Sequence, residues 1–249
     1  MNIAVCVKQV PDTETRIKLT DDKKAVDESD INFILNPYDE FAVEEALKLK
    51  EKNGGEVTVI SLGPDRITSA IRSALAMGAD KAIRIPADKN PQDPQAVAEA
   101  LATVLKQGNY DLILMGKQAI DDDHVQTPSI LAEKLDLPAI TVVIKLDIDG
   151  DKVVAEREVD GGHEIVECQL PAIISAQRGL NEPRYASLKG IMRSKKIPID
   201  EVAAEIPEDR LQIVEFNYPP QKSAGKIVGD SADAVPELLK LLHEEAKVI

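Results

Sequence analysis

Short apolar runs alternating with helix-patterned segments constrain this chain more than any other feature. Asn2 to Val7, Glu56 to Leu62, Lys81 to Ile85 and Asp111 to Met115 are short and rich in Val, Ile and Leu. Strands covered on both faces read this way. Between the first two, a helix runs from Asn36 to Lys50, with Asn36 as its cap, Pro37 starting it and Asp39 complementing the dipole in the first turn. Tyr38, Phe41, Ala42, Ala46 and Leu49 share one face, and Gly54-Gly55 stop the helix. A second helix follows Gly63-Pro64, buries Ile67, Ala70, Ile71, Ala74 and Leu75, and ends at Gly78. A third starts at Asp93-Pro94 and presents Val97, Ala100, Leu101 and Val104. The alternation requires an α/β fold with a parallel sheet and helices on both faces.

After Leu137-Pro138 the pattern changes. Ala139 to Ile148, Lys152 to Val159, His163 to Leu170 and Ala172 to Ala176 are β-rich, with Asp149-Gly150 and Gly161-Gly162 as turns. They read as antiparallel strands added to the sheet edge, or as a small flap beside it. From about Asn181 to Ala224 regular pattern is weak and prolines recur, so this stretch is expected to wrap a partner. A last helix spans Ala234 to Lys247. The expected organisation is an α/β domain over residues 1–180 and an extended C-terminal arm over residues 181–249.

Composition narrows the partners. The formal charge is −14, from 44 acidic and 30 basic side chains. Such a surface disfavours nucleic acid and anionic membranes. Cys6 and Cys168 offer neither a disulfide framework nor a zinc spacing, which favours a reducing compartment. The chain opens directly on a strand and holds no window of membrane-spanning length, so a cytoplasmic location without membrane insertion is expected.

The segment Gly116 to Thr127 leaves a buried strand and enters the helix Pro128 to Lys134, with Thr127 placed to cap it. Open parallel sheets bind ligands at such crossovers, where free amides of the helix meet phosphate. No Walker-type loop, no Gly-x-Gly-x-x-Gly and no nucleophile–base–acid set stands out, so no catalytic residue is assigned. Asp121, Asp122, Asp123 and His124 are adjacent rather than spaced as magnesium or calcium ligands would be, and no metal is assigned.

Four segments carry a resemblance: Val5-Cys-Val-Lys-Gln-Val10, Asn36-Pro-Tyr-Asp39, Gly116-Lys-Gln-Ala-Ile-Asp-Asp-Asp123 and Leu180-Asn-Glu-Pro-Arg-Tyr-Ala-Ser-Leu188. In order and spacing the chain resembles the β subunit of electron transfer flavoproteins. The resemblance implies a three-layer αβα, Rossmann-like (adenine nucleotide hydrolase-like) sheet. It also implies a heterodimer with an α subunit that holds most of an FAD. That heterodimer collects electrons from flavin dehydrogenases, such as acyl-CoA dehydrogenases, and delivers them to a membrane quinone oxidoreductase or another acceptor. The β subunit of this family is an electron carrier that binds a structural AMP.

Carried onto this chain, the AMP site uses the strand ends Cys6 and Leu62 and the helix start Asn36, Pro37, Tyr38 and Asp39. It further uses Gly116, Lys117, Gln118, Ala119, Ile120, Asp121, Asp122, Asp123, His124, Val125, Gln126 and Thr127. Main-chain groups at Cys6 and Leu62 suit the adenine edge, and Thr127 with the following amides suits the phosphate. Carboxylates repel phosphate, so at least two of the three aspartates should face solvent or cap backbone. Leu180 to Lys196 resembles the family's recognition loop, with Leu188 as anchor, Tyr185 and Met192 around it, and Arg184, Lys189, Arg193, Lys195 and Lys196 as steering charges. The loop from Val10 to Glu14 corresponds to the part that leans over the α-subunit flavin, with Thr13 where some members carry an aromatic.

Two alternatives remain. A bifurcating relative would bind a second FAD in place of AMP, but its segment has a Gly between two acids, whereas this chain has Asp121-Asp-Asp123. A free-standing nucleotide sensor of the universal-stress type would share the core without needing the long tail after Leu180.

Overall fold

The computed structural model of the chain describes residues 1–221 and 224–249. β1 (Asn2–Cys6) leads into a short ribbon in which β2 (Gln9–Pro11) pairs antiparallel with β3 (Phe33–Leu35). α1 (Pro37–Asn53), β4 (Glu56–Gly63), α2 (Thr68–Met77), β5 (Lys81–Pro86), α3 (Pro94–Leu105), β6 (Leu112–Gly116) and α4 (Thr127–Leu135) then alternate. Next come β7 (Ala139–Asp149), β8 (Lys152–Val159), β9 (Gly162–Gln169), β10 (Ala172–Ala176), α5 (Leu188–Ser194), β11 (Asp200–Glu201) and α6 (Val235–Lys240).

The main sheet runs β11-β5-β4-β1-β6-β10-β7-β8-β9, parallel from β11 through to the first part of β7. Side chains alternate across it, as strand geometry demands. Ile3, Val5, Val57, Val59, Leu112 and Leu114 pack against α1 and α2, while Ala4, Cys6, Ile60, Ile113 and Met115 pack against α3 and α4. The chain winds outward from β1 through β4 to β5 and then returns to β6 on the other side of β1. That reversal opens a crevice at the carboxyl ends of β1 and β6.

One strand differs from the sequence expectation. Ala172–Ala176 is not part of an antiparallel addition: β10 lies wholly buried inside the parallel sheet, between β6 and β7. The antiparallel part is the meander of β7, β8 and β9. β7 serves both, pairing parallel with β10 through Val143 and antiparallel with β8 beyond it. The switch is a bulge at Val142, whose φ is +61° and whose amide donates to the Ser175 hydroxyl at 3.0 Å. A β-branched residue at positive φ is costly, and the bulge re-aims the strand toward its second partner.

The compact unit extends past the expected boundary at residues 180/181, reaching Val214. After α5 the chain returns to its own sheet: β11 pairs parallel with the edge strand β5, and Val202, Ala204 and Ile206 pack on the α3 side. Asp209 then accepts the amides of Gln92 and Asp93 at 3.1 and 3.2 Å. Residues 215–249 form a second unit. In it α6 continues into a wider turn, Leu241–Glu245, so the last helix is shorter and less regular than its pattern predicts. None of its helical residues is buried, and Leu238 and Leu239 are exposed. Among the described residues no helix is long and apolar enough to cross a membrane.

Candidate functional site

A cleft of about 770 Å³, counting its open mouth, lies at the carboxyl ends of β1, β4 and β6. Cys6, Leu62 and Met115 form its floor from the strand ends, and Val97 and Leu101 of α3 wall it. Lys8, Asn36, Asp39 and the run from Gly116 to Ala119 bound one side, with Asp122 and His124 to Pro128 along the rim. Asn90, Pro91 and Gln92, from the loop after β5, close the other side.

Two side chains at the start of α1 set the geometry of this cleft. Asp39 is buried, and its carboxylate accepts the Lys8 amide at 2.7 Å and the Gly116 amide at 2.9 Å. It thereby ties together the two strand exits that diverge at the winding reversal. Burial pushes the Asp39 carboxyl up to about 7, opposed by those amides, by Asn36 and by the Lys8 charge. Asn36 is also buried and does not cap α1 through its side chain, contrary to the sequence expectation. Its Nδ2 donates to the Gln118 carbonyl at 2.9 Å and its Oδ1 accepts the Ile120 amide at 3.2 Å. A loop 84 residues away thus takes the side chain that a helix end would otherwise use. Thr127 likewise does not cap α4: it is the first helical residue, and the position before it is Gln126.

The acidic triplet is accounted for within the loop. Lys8 Nζ lies 2.7 Å from both Asp121 and Asp122. Burial would lower the Lys8 ammonium, but the two carboxylates outweigh it and hold it above its ordinary range. Asp122 also accepts the His124 amide at 3.1 Å, and Asp123 accepts from the Gln118 side chain. Asp123 and Val125 have positive φ, so the loop turns sharply before α4. The Cys6 thiol is pushed up to about 12 by burial, with Asp39 adding, which makes it a neutral core group.

Most of the site residues expected from the sequence therefore meet at one cleft. Pro37, Tyr38, Ile120, Asp121 and Asp123 do not line it. Pro37 lies in a separate groove beside α2, and the Tyr38 ring carries Lys117 Nζ 5.2 Å from its centroid. Ile120, Asp121 and Asp123 hold the loop in shape. Sequence reasoning missed Lys8, Met115, the α3 residues Val97 and Leu101, and the residues Asn90, Pro91, Gln92 and Pro94, for which the proline-rich entry to a helix after a strand end was the available signal. Among the described residues no His, Cys, Asp or Glu cluster is placed to hold a metal ion.

A second feature lies on the face formed by α1 and α2. Tyr185, Leu188, Ile191 and Met192 are exposed, with Tyr185 at 99 % and Leu188 at 78 %. Leu188, Ile191 and Met192 fall on one side of α5. Ser187 caps that helix by accepting the Gly190 amide at 3.0 Å. A Cβ on Gly190 would meet the Ala76 carbonyl at 2.3 Å, so glycine is what lets α5 lie so close to the end of α2. Arg184 is not an outward steering charge: it forks onto Glu44 at 2.8 and 3.0 Å and reaches Glu51. Lys189 remains exposed.

Comparison with known proteins agrees with this architecture. Residues 23–207 match the electron transfer flavoprotein domain. The chain is 46% identical over 250 residues to an electron transfer flavoprotein subunit beta from Syntrophomonas wolfei, covering 100% of this chain and 98% of that one. It is 42% identical to the Bacillus subtilis protein of the same name, with both chains fully covered. The Bos taurus protein of that name is 40% identical over 95% of this chain and 96% of its own. On the strength of the matched domain and these full-length similarities, the chain belongs to the electron transfer flavoprotein β-subunit family.

Proposed function

We propose that this chain binds AMP in the cleft at the ends of β1, β4 and β6 and, with an α subunit, completes the pocket of an FAD. In this reading the heterodimer takes electrons from flavin dehydrogenases such as acyl-CoA dehydrogenases and passes them to a membrane quinone oxidoreductase. The β subunit is a carrier without catalytic residues of its own. AMP has no redox chemistry and serves to stiffen the sheet ends; FAD supplies the electron-carrying chemistry when bound.

The observation that carries the reading is the composition of the cleft. Cys6, Leu62, Met115, Val97 and Leu101 make an apolar slot suited to a flat base. Asn90 lines it, and its buried Oδ1 has no hydrogen-bond partner among the described residues. At the other end Gln118, Gln126 and Thr127 gather polar groups before α4. Lys8 pairs with two of the three carboxylates there and offsets one unit of their charge, which lessens the repulsion of a monophosphate beside an acidic loop. The dehydrogenase contact is assigned to the exposed face of Leu188, Ile191 and Met192.

Co-purification with the α subunit, then acid release and quantification of nucleotides, tests this directly. One FAD and one AMP per heterodimer is the expected result. Two FAD and no AMP would instead support a bifurcating member. A chain that purified alone, without adenylate or any flavin-bearing mate, would overturn the proposal.

A further inference from the structure

The segment carrying the exposed Leu188 face has little structure of its own. α5 spans only seven residues, and the chain from Leu180 to Ser187 contains no helix or strand. An isolated helix of that length does not hold its shape in water. Its order comes from a set of contacts to α1 and α2. The guanidinium of Arg184 is bidentate on Glu44, whose side chain is 7% exposed, and the Arg184 amide donates to the same carboxylate at 3.1 Å. The other edge of the fork reaches Glu51, one further turn pair along α1, at 2.5 Å. Three residues before Arg184, Asn181 Nδ2 donates to the Phe41 carbonyl at 3.0 Å and to Glu45 at 2.8 Å. Behind α5, Arg193 donates to the Ala79 carbonyl at 2.5 Å and Arg72 to the Ile197 carbonyl at 2.5 Å.

We infer that Arg184 is a positioning residue for partner docking: clamped between Glu44 and Glu51, it fixes the Leu188–Met192 face before any partner arrives. The inference rests on the docking role proposed above for that face. A planar fork on one buried and one exposed carboxylate fixes direction as well as distance, which a single ammonium cannot do. Ordering the segment in advance removes an entropic cost from association, so the loss should fall on binding rather than on electron transfer within the complex.

The test uses the purified heterodimer carrying Arg184→Met with Glu44→Leu. Both charges are removed together, so no carboxylate is left buried and alone. Arg184→Lys serves as a second, conservative variant. Amide exchange over residues 183–196 is expected to rise about tenfold in the double variant and less in Arg184→Lys, while β1, β4 and β6 remain protected. With an acyl-CoA dehydrogenase kept reduced by its acyl-CoA, the KM for the heterodimer should rise about tenfold with kcat and flavin potential unchanged. Unchanged exchange over residues 183–196, or exchange raised equally across the sheet, overturns the inference. If Leu188→Ala raises KM and the double variant does not, the inference fails while the docking proposal stands. If neither raises KM, the docking proposal fails and the inference with it.

Discussion

The Asp39 carboxylate accepts the amide of Gly116 at 2.9 Å, and a Cβ on Gly116 would sit 2.5 Å from that same oxygen. It would also sit 2.7 Å from Tyr38 Cβ, so helix α1 and strand β6 meet here only because glycine is present. Gly116→Ala must either push the first turn of α1 away or break the hydrogen bond. Overpacking and a lost charge-assisted bond together should cost about 2–4 kcal/mol. Urea unfolding of the heterodimer measures this, and AMP retention should fall with it. A variant of undiminished stability would show that the contact is looser than described.

Asp39 also predicts a pH dependence. Its carboxyl stands at about 7 in the fold against an ordinary value of 3.8, because burial disfavours the charge. Between those limits the folded chain holds a proton that the unfolded chain has released. The contribution of this group is therefore greatest in acid and declines as pH rises toward 7. Asp39→Asn cannot titrate, so its unfolding free energy should lack that decline. Measured at half-unit steps, identical slopes in the two proteins would mean that Asp39 ionises normally.

Lys8 is the cation that offsets Asp121 and Asp122 beside the cleft. Lys8→Met should weaken AMP retention by roughly three- to tenfold, the scale of one partly screened charge pair at a few ångströms. The deficit should shrink in 0.5 M salt, roughly, as the uncompensated carboxylates are screened. The AMP-to-FAD ratio after gel filtration at low and high salt reports both effects. A salt-independent loss would point to altered loop packing instead.

Leu188 is 78 % exposed on the face assigned to partner contact. Leu188→Ala should lower the rate of reduction by the dehydrogenase at limiting heterodimer about tenfold or more, in the range of an anchoring side chain at an interface. FAD content and unfolding midpoint should change little, since most of the side chain faces away from its own fold. Wild-type transfer kinetics would remove Leu188 from the contact.

Much of the sheet was legible because its strands are continuous apolar runs between helix starts marked by proline. The direction of β10 was not. Ala172 to Ala176 follows three antiparallel runs, and five buried residues carry no sign of polarity, so proximity in sequence misled. The bulge at Val142 that makes the return possible has no local signature. At the cleft, the strand ends and the loop before α4 were readable, whereas Asn90 to Gln92 were marked only by the proline-rich entry to α3, which names no chemistry. The side chains of Asn36 and Arg184 were assigned by local rules, helix capping and surface charge. Distant partners, Ile120 and Glu44, claim both, and separations of 84 and 140 residues lie beyond any periodicity.

Helix α1 carries fixtures along its length: Asn36 and Asp39 grip the loop over the cleft at the strand ends, while Glu44, Glu45 and Glu51 grip the segment that bears Leu188. Its middle is therefore not interchangeable scaffolding. A chimaera that imports α1 from a cousin must import Gly116 to Ile120 and Asn181 to Arg184 alongside it, or the transplanted rod will arrive with hooks and no eyes.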